Sequence, residues 1–389
     1  MPGFEVIGKE ERDAVNDVFD KGGVLYRYGY VDKRQHIFRV DDFEKAFAEK
    51  MGAKYALAVC SGTGALKTAL EALEVKPSDE VITQSHTFIA TVEAIMEVGA
   101  VPVITEVDKT LNMDPTDLKK KITPKTKVII PVHMSGVAAE MKEILAIARE
   151  RNIYVLEDNA QSCGGEYGGK KLGTLGDVGI FSFDFGKTLT TGEGGMVLTD
   201  NESIFKKSRE YSDHGHELNP KFPRGEDTRS RSGFNFKMME LQGAIGLAQL
   251  KKLDYIIKRQ LENKNRIKEG IKTNPEIEFR KVPNPEGDAG DTLTFFLENR
   301  EKAKNFVKAW TEKGFGTKNL PDAIDWHYAG TWDHLFSNYD YYKGKDLPEV
   351  WKQSTQLLRR AIAIAIFVNM SDQEINAIIG GINGIAETL

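Results

Sequence analysis

The chain has 389 residues, 40% of them hydrophobic and 29% charged, with a formal net charge of -5 at pH 7. That length exceeds one ordinary core and points to two domains, while the composition excludes the fibrous and disordered classes. The mildly acidic balance offers no overall attraction to a phosphate backbone, so no nucleic-acid partner is expected.

The opening MPGFEVIGKEERDAV has no basic segment followed by an apolar one and does not read as a secretory leader. Cys60 and Cys163 lack CxxC spacing, so neither a disulfide framework nor a metal site is expected. Together these point to a cytoplasmic protein. Short Val/Ile-rich runs then alternate with helical patterns: YALAVC, a helix from Gly64, EVIT, a helix from Thr87, VPVITEV, a helix from Asp114, KVIIPVH, a helix from Glu140, and IYVLED. Such alternation predicts an α/β fold with a mostly parallel sheet sandwiched by helices.

VGIFSF and GGMVLT read as a hairpin-type or crossover return near a sheet edge, joined by the loop that holds Lys187. One long helix is expected from Met238 through Ile271, leading from a large domain (1–250) into a smaller α+β domain (251–389). The longest apolar run, AIAIAIFV at 361–368, is too short to cross a bilayer, so no membrane partner is expected. It reads as a buried strand leading into a capping box of Ser371 and Glu374.

Ligands of a parallel sheet bind at the carboxyl ends of its strands. After YALAVC comes SGTGAL, whose small residues open a helix; this reads either as a tight turn or as a phosphate cradle of free N–H groups. After IYVLE comes Asp158, with Gln161 one helical turn on, and after VGIF come Ser182 and Lys187. Gly186-Lys187-Thr188 imitates the end of a P-loop, but Phe181 stands where the first glycine belongs and TLTTGEGG is a poor helix. Gly62 and Gly64 begin a G-x-G-x-x-G whose third position is Lys67, so a dinucleotide site is weakly supported. A phosphate cradle, a carboxylate and a lysine at successive strand ends suit one cofactor, pyridoxal 5'-phosphate: the lysine captures its aldehyde and the carboxylate keeps its ring nitrogen protonated.

On SGTGAL, HTFIAT, VGAVPVITEVD, TPKTKVIIPVHMSG, LEDNAQSCGG, LGTLGDVGIFSF, KTLTTGEGGMV and GFNFKMMELQGAIGLAQLKKLD, the chain resembles the pyridoxal-phosphate-dependent sugar aminotransferases of the DegT/StrS group, of fold type I. The resemblance implies that Lys187 carries the cofactor and shuttles the proton, that Asp158 pairs with the ring nitrogen, and that Gln161 bonds the ring oxygen. It implies that Phe88, otherwise readable as core, stacks on the ring, and that Gly62, Thr63, Gly64 and Ser182 hold the phosphate. Asn235 is implied to reach the phosphate of a neighbouring subunit, giving a homodimer with shared active sites and an inactive monomer. Members with histidine at the lysine position are sugar dehydratases, so Lys187 favours transamination. Two departures stand out: Asn235-Phe236-Lys237 where the group has Asn-Tyr-Arg, and Asp184-Phe185-Gly186 where it has His-Pro before the lysine. Lysine lacks arginine's planar fork, and the second change is expected to alter the substrate side of the pocket.

Acceptor choice is expected in three segments: 24–40 with Arg27 and Tyr28, 212–233 with His214 and His216, and 325–328 with Trp326 and His327. Their arginines, tyrosines and tryptophan suit an anionic sugar, although the charge-rich loops read equally as surface. Within the resemblance, SDHGH, PEGD and WHY look like the branch that transfers an amino group from L-glutamate to 8-keto-3-deoxy-manno-octulosonate, giving 8-amino-3,8-dideoxy-manno-octulosonate for lipopolysaccharide. The alternative is a nucleotide-sugar 4-aminotransferase of the perosamine-synthase kind.

Overall fold

The structure is a computed structural model that describes residues 3–321, 324–337 and 339–389. Twelve strands occur among them: β1 Tyr55–Val59, β2 Glu80–Gln84, β3 Val101–Thr105, β4 Thr126–Ile130, β5 Tyr154–Asp158, the short β6 Glu166–Tyr167 and β7 Lys170–Lys171, β8 Val178–Ser182, β9 Gly195–Thr199, β10 Glu278–Phe279, β11 Thr292–Phe296 and β12 Ala361–Ala365. Seven form one sheet in the order β1-β9-β8-β5-β4-β2-β3, parallel throughout except that β9 runs against both neighbours. β8 is buried along its whole length, as a strand covered by helices on both faces must be. The expected return between VGIFSF and GGMVLT is the antiparallel β8–β9 pair, one strand in from the edge at β1.

The edge is closed by side chains. Ala58 of β1 gives its N–H to Glu44 (2.6 Å), and its carbonyl accepts from Arg27 (3.0 Å), so the strand offers no free backbone there for another chain. Further along, Cys60 N–H donates to the Phe236 carbonyl at 2.7 Å.

The expected single helix from Met238 is two, Glu240–Leu250 and Leu253–Ile271. The break falls where Lys252 N–H bonds back only three residues to Gln249, and its ammonium reaches the Val6 carbonyl (2.7 Å) and the Glu11 carboxylate (2.7 Å). That tightened turn fixes the second helix against a smaller antiparallel sheet, β10-β11-β12. Leu293 and Phe295 of β11, Ile362 and Ile364 of β12, Phe306, Trp310 and Ile378 build a separate core there. Ser371 and Glu374 form the expected capping box of the helix Asp372–Ala386. Trp332, Phe336 and Trp351 pack instead on Ile89, Val92 and Ile104 of the large sheet's layer, which carries 325–328 to the strand ends. Among the described residues, no helix is long and apolar enough to cross a membrane.

Candidate active site

At the carboxyl ends of β1, β5 and β8 lies a cavity of about 300 Å³ whose lining includes Thr63, Phe88, Asp158, Gln161, Lys187 and His327. Lys187 sits on a short loop after β8 that its own backbone shapes. Asp184 accepts from Gly186 N–H on its carboxylate (2.9 Å) and from Lys187 N–H on its carbonyl (2.9 Å), and Gly3 N–H binds the Lys187 carbonyl (2.9 Å). The Lys187 ammonium forms no ion pair or hydrogen bond among the described residues. Burial holds its pKa below the ordinary 10.5, against the pull of Asp184 and Asp158.

Asp158 ends β5 with its side chain buried. Thr91 donates its hydroxyl to one carboxylate oxygen (2.9 Å) and Ala160 its N–H to the other (3.0 Å). Burial pushes the carboxyl pKa above its ordinary value despite those two donors, and no cationic side chain among the described residues lies within ion-pair distance. Gln161 is oriented by Ser135, whose N–H gives to the Gln161 Oε1 at 3.1 Å, leaving Nε2 without a partner among the described residues.

The phosphate-type end is the start of the helix Gly62–Ala72. Ser61 caps it by accepting Gly64 N–H at 3.0 Å, so Gly64 does not offer the free donor expected of it; the Gly62 and Thr63 N–H groups stay unpaired among the described residues. A Cβ on Gly62 would lie 2.7 Å from the Ser182 Cβ, so only glycine lets the end of β8 close against this helix. Two free N–H groups on a helix dipole, a nearby hydroxyl, a buried carboxylate and an unpaired amine are together a fit for pyridoxal phosphate. Phe88 is 40% exposed and lines the cavity, which sets aside its reading as core.

The substrate candidates divide. His327 lines the cavity, and Trp326 lies nearly parallel to Phe88, with ring centres 6.3 Å apart, because Thr87 and Ile89 N–H groups bond the His327 and Trp326 carbonyls. Arg27 is a correction: it is buried on Glu44 and the edge of β1, so it has no guanidinium free for substrate. His216 is another, buried inside the 212–233 segment between Asp227 (3.6 Å) and Arg229 (3.4 Å). Tyr28 lies under the Arg224 guanidinium, and neither it nor the exposed His214 lines this chain's cavity. Asn235 is exposed and also outside the lining. The Lys237 departure is accommodated as an ion pair with Asp213 (2.5 Å), which Arg224 shares. At the other departure, Asp184 lines the cavity while Phe185 stacks on Phe4.

Sequence reasoning missed Thr91 and Asn319. Thr91 was within reach, since Thr87 and Thr91 are four residues apart and bond each other at 2.8 Å. Asn319 arrives from the far end of the chain, with φ of 65° and a buried Nδ2 at the cavity wall that has no partner among the described residues.

The profile of the DegT/DnrJ/EryC1/StrS aminotransferase family matches residues 7–383. The chain belongs to this family. It is 32% identical to the spore coat polysaccharide biosynthesis protein SpsC of Bacillus subtilis, over 98% of this chain and 96% of that one. It is 37% identical to the GDP-perosamine synthase of Escherichia coli O157:H7, over 77% of this chain and 79% of that one. Among solved structures, the aminotransferase of Psychrobacter cryohalolentis superposes with a TM-score of 0.84 at 28% identity, covering 98% of both chains. The family, its relatives and the geometry agree on a sugar aminotransferase of fold type I.

Proposed function

We propose that this aminotransferase moves the amino group of L-glutamate to the carbonyl of an anionic keto sugar, with 8-keto-3-deoxy-manno-octulosonate as the lead acceptor. Pyridoxal phosphate is the cofactor; when bound it supplies an aldehyde that captures amines and a ring that takes up the electrons released from a Cα–H bond. Lys187 contributes the amine and then holds and moves the proton at Nζ, a role its lowered pKa serves by keeping neutral amine available. Asp158 would hold the protonated ring nitrogen, Gln161 Nε2 would donate to the ring oxygen, Phe88 would cover the ring, and the Gly62 and Thr63 N–H groups with Ser182 would hold the phosphate.

What carries the reading is the pair of unmatched charges, Lys187 and Asp158, facing one cavity at successive strand ends. The sugar-acid reading rests on the resemblance of SDHGH, PEGD and WHY to the octulosonate branch, since Arg27 and Arg224 are already paired with Glu44 and Asp213. Segments 24–40 and 212–233 lock together through Tyr28, Arg224 and Asp213, beside the exposed Asn235. The resemblance supports a homodimer in which this surface would complete the other chain's site, each chain built of the 1–250 and 251–389 domains. The second reading, a 4-keto nucleotide sugar as acceptor, is favoured by the identity to GDP-perosamine synthase.

One experiment separates them. The protein is loaded with cofactor, converted with L-glutamate, freed of donor, and offered keto sugars singly while the visible absorbance of the aldehyde form is followed. Its return with the octulosonate and not with 4-keto nucleotide sugars supports the sugar acid; the reverse replaces the acceptor and keeps the aminotransferase.

A further inference from the structure

A second cavity, of about 260 Å³, lies between the helix Leu253–Ile271 and the small sheet, away from Lys187. Its lining includes three basic side chains, Lys264, Lys268 and Arg280, against one carboxylate, Asp288. That carboxylate is already engaged: Lys264 pairs with it, and Gly290 N–H donates to its other oxygen at 2.8 Å. Lys268 sits over the Phe279 ring, 5.2 Å from its centre, with no acidic partner among the described residues.

Arg280 is the unusual member. It is only 6% exposed, yet its guanidinium bonds neutral oxygens alone: the Thr110 carbonyl (2.6 Å), the Asn112 side chain (3.3 Å) and the Met134 carbonyl (3.0 Å). Its Nη1 has no hydrogen bond among the described residues, and none of them forms an ion pair with it. A buried guanidinium held by neutral groups is costly, and burial drives its pKa down to about 10 although Asp288, Asp291 and Asp108 lie near enough to favour its charge. A planar fork with one arm unused, beside a lysine with no acidic partner, is an arrangement that recognises an oxyanion.

We propose that this cavity is a binding site for a small oxyanion, a phosphate or carboxylate group held by Arg280 and Lys268, separate from the cofactor cavity. The ligand's negative charge balances Arg280, and because Arg280 also holds the carbonyl of Met134, whose residue lines the Lys187 cavity, occupancy stiffens that wall.

The test is calorimetric titration of the cofactor-loaded enzyme at constant ionic strength, with inorganic phosphate and, separately, malonate. Binding of one anion per chain, weakened at least tenfold in Lys268→Glu, supports the site; phosphate alone identifies a phosphoryl ligand and malonate alone a carboxylate. Arg280→Lys, which keeps the charge and loses the fork, is expected to weaken binding similarly. If neither anion binds, or if both bind wild type and Lys268→Glu equally, the proposal is overturned.

Discussion

Two lysine–aspartate couples stand near one another and behave oppositely. Lys318 and Asp291 meet at 2.7 Å with the Thr292 hydroxyl 2.6 Å from the same ammonium; burial disfavours the Asp291 charge, but Lys318 outweighs it and leaves the pKa below 3.8. Lys187 and Asp158 face one cavity without pairing, and burial shifts the lysine down and the carboxyl up. The first couple has spent its charge on the fold. The second has no such partner among the described residues, which is why its members, and not Lys318 or Asp291, are the ones we propose for the chemistry.

Removing the reserved amine breaks that contrast most severely: Lys187→Ala is expected to leave no detectable transamination, measured as 2-oxoglutarate released from glutamate. Asp158→Asn keeps cofactor, seen by absorbance, but lowers turnover by roughly 10²-fold or more, because the ring nitrogen loses its ionic partner.

The spent couples respond in stability. Lys318→Met leaves Asp291 buried and unpaired, at a cost of about 3–5 kcal/mol in denaturant unfolding. The sign with pH follows from the depressed Asp291 pKa: the stabilisation is present above the ordinary carboxylate value of 3.8 and is lost as pH falls through the lower folded value. Wild type and Lys318→Met should therefore converge only as pH falls below 3.8 and through the lower folded value of Asp291. Arg27→Met strands Glu44 in the same way and costs about 3–5 kcal/mol, while the acceptor KM stays at its wild-type value. A raised KM would restore Arg27 to the substrate. The smallest effect is expected of Trp326→Ala, which loses one exposed aromatic face: about a tenfold rise in acceptor KM with the glutamate half-reaction unchanged.

These couples also show what the sequence made legible. Asp158, Gln161 and Lys187 were readable because each follows directly from the end of a strand, where chain order and site position coincide. The β8–β9 pair and the Ser371 capping box were legible for the same local reason. Arg27 was not: its partners, Glu44 and the Ala58 carbonyl, exist only once β1 has become a sheet edge. The break at Lys252 depends on Val6 and Glu11, some 240 positions earlier, as the sequence separations of 246 and 241 residues record. Gly64 was misread by one bond, since the Ser61 cap takes the N–H that a glycine pattern alone leaves open. Asn319 illustrates the limit, because nothing within its own segment says which cavity it will face.

The measurement that bears most directly on the account is to load the protein with pyridoxal phosphate, reduce the cofactor–protein bond with borohydride, and map the added mass by peptide analysis. One cofactor per chain, on Lys187, is expected, and none in Lys187→Ala; attachment at another lysine, or no attachment in the wild type, would contradict the role proposed for Lys187.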